Sequence, residues 1–206
     1  MNLTRYTPEE LLEKCRQIRR MCATSAFMRS PKHQKTQEMW CAAQYGRAFA
    51  SAIGPCWLHV SDVDEQNPED FWLEYAGECH PFQISLVVNP DRRMGDEYRN
   101  VNGDEPVATH EDWTKGSESG PCWVADRVAA KATKYGSNAA SLNLLLYLNF
   151  AAWQQDYERL CLTSQAPASK FRSVWLLNGS AFCCIKGSDH LPWLPCWYPA
   201  ADALEG

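Results

Sequence analysis

The chain has 206 residues, a formal net charge of −5, 45% hydrophobic and 22% charged residues. That is an ordinary globular composition with room for a substantial core, and it excludes a chain that is a polycation overall. The longest apolar run, Leu142–Phe150, contains Asn143 and Asn149 and is too short to span a membrane.

The charges are unevenly placed. Lys14 to Lys35 holds seven Lys or Arg and no acid, and Asp62 to Glu78 holds seven Asp or Glu and no base. One reading is a solvated basic helix face and an acidic loop. The other is a phosphate-attracting surface beside a cation-attracting one.

In chain order, Thr7-Pro8-Glu9-Glu10 is a capping box with Pro at the first helical position. Its helix puts Leu11, Cys15, Ile18 and Cys22 on one face and Lys14, Arg16, Arg19 and Arg20 on the other. Residues 29–35 form a basic link with Lys32 and Lys35. A second helix is predicted over 36–52, with Glu38, Ala42, Tyr45 and Phe49 on one stripe. Glu38 can complement the helix dipole there. Residues 57–63 read as a strand.

The next stretch, 68–88, reads as a hairpin. Phe71, Leu73 and Tyr75 alternate with polar or aromatic neighbours, Gly77 lies in a turn over 76–79, and Phe82, Ile84, Leu86 and Val88 alternate again. With Tyr75 opposite His80, Asp70 faces Ser85 and Trp72 faces Gln83. Asp70, Gln83 and Ser85 then share one face, where a carboxylate beside polar groups can hold a divalent cation.

Beyond the hairpin, Arg92, Arg93 and Arg99 can meet phosphates or pair with Asp91, Asp96 and Glu97. Residues 101–120 lack periodicity and read as a long mobile insertion; His110 there has no companion. Residues 123–135 read as a helix with Val124, Val128, Lys131 and Tyr135 on its apolar stripe. Lys131 there either snorkels along the helix edge or needs a partner. Leu142–Leu148 is a strand buried on both faces, residues 151–161 a helix, and residues 173–185 a second hairpin around Asn178-Gly179. The tail from Ser188, with Trp193, Trp197 and Tyr198, is expected to wrap the domain irregularly.

This order suits one α/β domain over 1–206 with a mixed central sheet flanked by helices. Its parts are a basic N-terminal helix and link at 1–35, a core at 36–150, an insertion at 100–120 and a tail at 188–206.

Ten cysteines are present, with no CxxC pair and no His at ligand spacing to them. The N-terminal residues carry charge early and lack an apolar signal segment. Reduced, mostly buried thiols in a cytoplasmic protein are expected, and neither disulfides nor zinc. Cys183 and Cys184 should point to opposite sheet faces.

An acidic residue soon after a Pro at a strand start, a Gly turn and a second strand resemble the restriction-endonuclease-like, or PD-(D/E)XK, nuclease superfamily. Pro90, Arg92, Arg93, Gly95, Glu97 and Tyr98 match a P-x-R-R-x-G-x-E-Y run of one bacterial subgroup. Gln83 stands where that family has its second carboxylate and Ser85 where it has its Lys. The resemblance implies a restriction-endonuclease-like core in which Asp70, Gln83 and Glu38 hold Mg²⁺ or Mn²⁺. Lys131, four residues before Tyr135, then replaces the missing ammonium, with Lys134 as the other candidate. It implies a metal-dependent DNA endonuclease hydrolysing phosphodiester bonds. A second expectation is a catalytically degenerate relative that binds nucleic acid through Arg16, Arg19, Arg20, Lys32, Lys35, Arg92 and Arg93. A third is a protein-binding adaptor or inhibitor in a mobile-element or defence setting. DNA and a protein partner are the partners these readings imply, with no membrane.

Overall fold

Local chemistry sets where the chain turns into helix. The Thr7 hydroxyl accepts from the Glu10 N–H at 3.2 Å, and the Glu10 carboxylate accepts from the Thr7 N–H at 2.8 Å. Two donors that a helix start leaves orphaned are thereby satisfied, and helix α1 (Pro8–Arg20) follows. The computed structural model describes residues 3–22, 33–61, 69–91, 108–153, 155–179 and 181–199. Ahead of α1, Leu3–Tyr6 forms strand β1, which four residues are too few to announce by alternation. Helix α2 (Gln34–Ala52), β2 (Trp57–Ser61), β3 (Phe71–Tyr75) and β4 (Glu78–Val88) come next. Helix α3 (His110–Tyr135), a 3₁₀ segment at 136–141, β5 (Asn143–Asn149) and α4 (Tyr157–Ala168) follow. Strands β6 (Ser173–Asn178), β7 (Ala181–Lys186) and β8 (Tyr198–Pro199) complete the order.

Among the described residues the strands form one eight-stranded sheet in chain order. Pairing is antiparallel from β1 to β4, parallel from β4 through β5 to β6, and antiparallel again from β6 to β8. The protein is thus an α/β structure with a mixed sheet. Because side chains alternate across a strand, the same strands feed two separate cores. Leu145, Trp175, Leu177, Phe182 and Cys184 join α1 and α2 on one face. Leu144, Leu146, Val174, Leu176 and Cys183 join α3 and α4 on the other. Cys183 and Cys184 do lie on opposite faces.

Tyr45 of α2 anchors the first core. Its ring centroid lies 5.2 Å from Phe82, 5.5 Å from Trp175 and 6.3 Å from Phe71. Its buried hydroxyl has no hydrogen-bond partner among the described residues, so it adds a desolvation cost that a plain phenyl ring avoids.

Three expectations are corrected. The stretch read as a mobile insertion over 101–120 is helical from His110 onward, launched by a second capping box between Thr109 and Asp112. Its residues 101–107 lie outside the described residues. Gly116 and Gly120 serve close packing: a Cβ at Gly116 would sit 1.8 Å from the Ala151 carbonyl oxygen, and one at Gly120 2.6 Å from Gln155 Oε1. The segment after β5 packs into that gap, with the Gln155 amide donating to the Gly116 carbonyl at 3.2 Å and the Trp153 N–H donating to Ser117 Oγ at 2.9 Å. The helix expected over 151–161 consequently starts later, at Tyr157, after Asp156 accepts from the Arg159 N–H. The tail is not wholly irregular, since Tyr198 pairs with Phe182 and Pro199 with Ala181.

Gly116→Ala should destabilise the protein by about 2 kcal/mol or more, because the clashing atom is backbone. Cys122→Ala, exposed on the same helix, should stay within about 0.5 kcal/mol of wild type. Urea denaturation of both variants separates a packed helix from a mobile insertion. Tyr45→Phe should leave stability unchanged or raise it by about 1 kcal/mol, read in the same assay.

Candidate functional site

The hairpin turn decides where Asp70 goes. Ala76 and Gly77 both have positive φ, 52° and 83°, the backbone of a two-residue type I′ turn. Tyr75 therefore pairs with Glu78, and Phe71 with Phe82. The expected pairing of Tyr75 with His80 is off by two residues. A shift of two keeps every side chain on its face but brings Asp70 level with Gln83 instead of Ser85. Asp70 N–H donates to the Phe82 carbonyl at 2.9 Å. Its carboxylate then stands in for the next rung of the ladder, with Oδ2 accepting the Ile84 N–H at 2.6 Å.

The same oxygen accepts a hydrogen bond from the Gln83 amide nitrogen, and the Gln83 carbonyl oxygen accepts from the Tyr135 hydroxyl. A continuous relay thus runs from β3 across β4 to the last turn of α3. Tyr135 reaches it because Val124 and Val128, on the same helical stripe, are fully buried against the sheet. Lys131 sits one turn before Tyr135, its ammonium 5.6 Å from the Tyr135 ring centre; Lys134 is 5.5 Å from that ring. From the opposite side, Lys35 of α2 donates to the Asp70 carbonyl at 3.2 Å and approaches Glu38 at 3.9 Å. Glu38 also accepts from Gln34 at 3.0 Å.

Burial pushes the Asp70 carboxyl above its ordinary value, against the lowering effect of the Ile84 N–H, the Gln83 amide, Lys35 and Lys131. Burial, and then Lys134, push the Lys131 ammonium below the usual lysine range, while Asp70 and Glu38 pull it back. Burial and the Asp70 charge raise the Tyr135 hydroxyl to about 12. Desolvation therefore works against the charge on both Asp70 and Lys131.

Of the predicted site residues, Asp70, Gln83, Lys131 and Glu38 share one electrostatic neighbourhood. Ser85 is buried on β4 and brings no ammonium. Among the basic residues, Lys35 belongs to this cluster. Arg16 and Arg20 flank Glu13 at 4.0 and 3.5 Å, and Arg19 donates to the Cys22 carbonyl at the end of α1. Lys32, Arg92 and Arg93, with nearly all of the Pro90–Tyr98 run, lie outside the described residues. Sequence reasoning missed Lys35 as a neighbour of Asp70 and the Ile84 N–H as its anchor. A one-turn spacing between Lys35 and Glu38 was the available signal.

A second concavity, of about 450 Å³, is lined by Arg172, Lys186, Ser188 and His190 among others. Its Lys186 is already engaged, donating to the Phe171 carbonyl at 2.8 Å and to the Arg172 carbonyl at 2.5 Å.

No family model matches the chain, and no curated protein matches it. Among solved structures it is similar to a protein of unknown function from Pseudomonas aeruginosa strain PAO1, described as belonging to the monooxygenase superfamily. The likeness has a TM-score of 0.46 and 14% identity, covering 90% of this chain and 86% of that one. A likeness that loose gives this chain neither a fold-family name nor an activity.

These findings correct the nuclease expectation. No restriction-endonuclease-like family is matched. The readings as a DNA endonuclease or hydrolase, as a degenerate nucleic-acid-binding relative, and as a defence adaptor or inhibitor are set aside. The physical reason lies in the motif's tolerance: a carboxylate at a strand start and a Gly turn recur in many hairpins. The two positions that carry the family's chemistry hold Gln83 and Ser85 here.

The raised Asp70 pKa has a direction that can be measured. A carboxyl whose folded value lies above its unfolded value favours the fold below the unfolded value, 3.8, and loses that contribution as pH rises through the folded value. Asp70→Asn should remove this component. Denaturation in metal-free buffer should show the wild type losing stability relative to Asp70→Asn as pH rises from about 4, then running parallel to it.

Proposed function

We propose that the Asp70 cluster is a cation-dependent binding site for a small anionic ligand. The observation that carries the proposal is the half-buried Asp70 carboxylate. Both of its hydrogen bonds among the described residues fall on Oδ2, and lysines act on it from two different helices.

The donor set suits a hard cation. Asp70 and Glu38 offer carboxylate oxygens, which Mg²⁺ and Mn²⁺ prefer over nitrogen or sulfur. A divalent ion would supply positive charge that relieves the cost of a half-buried carboxylate. Gln83 as oriented gives Asp70 a donor and so fixes the carboxylate. It offers an oxygen to a cation only with its amide reversed, in which case the Tyr135 hydroxyl becomes the acceptor for the NH₂ group. Lys35 and Lys131 then hold the ligand's anionic group on either side. Burial pushes the Lys131 ammonium below the usual lysine range, and a bound anion would favour its charged form. A reducing cytoplasmic setting suits the chain, whose ten cysteines are all unpaired thiols. No helix among the described residues is long and apolar enough to cross a membrane.

Calorimetric titration of metal-free protein with Mn²⁺ tests the reading. One site is expected, lost in Asp70→Ala and weakened by about tenfold in Glu38→Gln, a difference of about 1.4 kcal/mol. Inorganic pyrophosphate should bind only when Mn²⁺ is present, and Lys131→Met should abolish that second step alone. Unchanged Mn²⁺ binding by Asp70→Ala would overturn the assignment.

A further inference from the structure

A second group of ligating side chains lies on the sheet itself. Strands β2, β3 and β4 are adjacent, and their registers put Trp57 opposite Glu74 and Glu74 opposite Cys79. His59 is two residues along β2 from Trp57, so it shares that face and lies diagonal to Glu74. One imidazole nitrogen, one carboxylate oxygen and one thiol sulfur come from three strands, all within 4.8 Å of one another. Sequence spacing does not show this, because residues 59, 74 and 79 meet only through strand pairing.

We propose that His59, Glu74 and Cys79 form a binding site for a zinc-class transition metal. The donor types are the ones such ions select, with Zn–N at about 2.0 Å and Zn–S at about 2.3 Å. Tetrahedral donors at those lengths stand roughly 3.3–3.8 Å apart, so side-chain adjustment of about an ångström closes the site. The backbones are already fixed by the ladder.

The present contacts fit this role. His59 Nε2 lies 2.7 Å from Glu74 Oε2, so the two donors already converge. Arg5 donates from Nε to Glu74 Oε2 at 2.9 Å and from its terminal nitrogen to Oε1 at 2.6 Å. Its guanidinium rests over the Trp57 ring at 3.9 Å. Hydrogen bonds from Arg5 and a close His59 contact hold the Glu74 carboxylate in place, so the ligand is oriented before a metal arrives. With Oε2 given to the metal, Oε1 keeps its bond to Arg5, the outer-shell support that orients ligating carboxylates. Thiolate and carboxylate together balance a divalent charge. Cys79 is exposed, so its sulfur is open to an incoming ion. Three protein ligands leave a fourth position open to water or a small ligand, the arrangement of zinc sites that act on something.

Cobalt(II) replaces zinc as a visible probe. Titrating Co²⁺ into the chelator-stripped full chain should develop a thiolate-to-cobalt charge-transfer band that saturates at one equivalent and is bleached by Zn²⁺. Cys79→Ser and His59→Ala should each abolish it, while Asp70→Ala should retain it, which separates this site from the Asp70 cluster. Circular dichroism of the variants checks that they fold; Cys79 is exposed, so Cys79→Ser gives the cleaner arm. A full-strength band in Cys79→Ser, or none in wild type, would overturn the proposal.

Discussion

Everything near Asp70 depends on the pairing register of β3 and β4. Two positive-φ residues, Ala76 and Gly77, make the turn, and Ala76 carries a cost of about 1 kcal/mol for its left-handed backbone. That turn puts Phe71 against Phe82, whose rings stack at 4.8 Å. It also sets Asp70 beside the Ile84 N–H. A slip of one residue would send Phe71 and Leu73 to the wrong face and Asp70 away from Gln83. The core and the candidate site are therefore specified by the same few contacts.

Strand β4 is where the sheet changes character, antiparallel toward β3 and parallel toward β5. Its side chains also serve two layers. Phe82 and Ile84 face the α1–α2 core, while Val87 faces α3 and α4. Gln83 lies on the α3 side and reaches both Asp70 and Tyr135. The Asp70 cluster is consequently supplied by helices of both layers, with Lys35 and Glu38 from α2 and Lys131 and Tyr135 from α3. That is why residues so distant in sequence act on one carboxylate.

Much of the architecture is legible in the residues. Thr7 to Glu10 announces α1, the alternation around Gly77 announces the hairpin, and Leu142–Leu148 announces a strand covered on both sides. What misleads is chemistry with two uses. Gly116, Gly120 and Pro121 look like breakers, yet the glycines make room for Ala151, Phe150 and Gln155 against a helix. Gly77 signals a turn but not its length, and two residues of length move Asp70 from Ser85 to Gln83. At the site, the α3 stripe draws attention to Lys131 and Tyr135. The closeness of Lys35 to Asp70, and of His59 to Cys79, depends on packing and pairing that no local pattern encodes. The nuclease resemblance rests on short motifs, and short motifs fit more chains than the family contains.

An open sheet has two borders, and each offers unpaired backbone groups to any passing strand. Here one border is β1, only Leu3–Tyr6, with Arg5 on it tied to Glu74. The other is β8, two residues long and ending in Pro199, which has no N–H to donate. Short length, a fixed charge and a proline are the devices that discourage sheets from adding to one another end on end. Among the described residues, both rims of the sheet are thereby poor templates for a further strand.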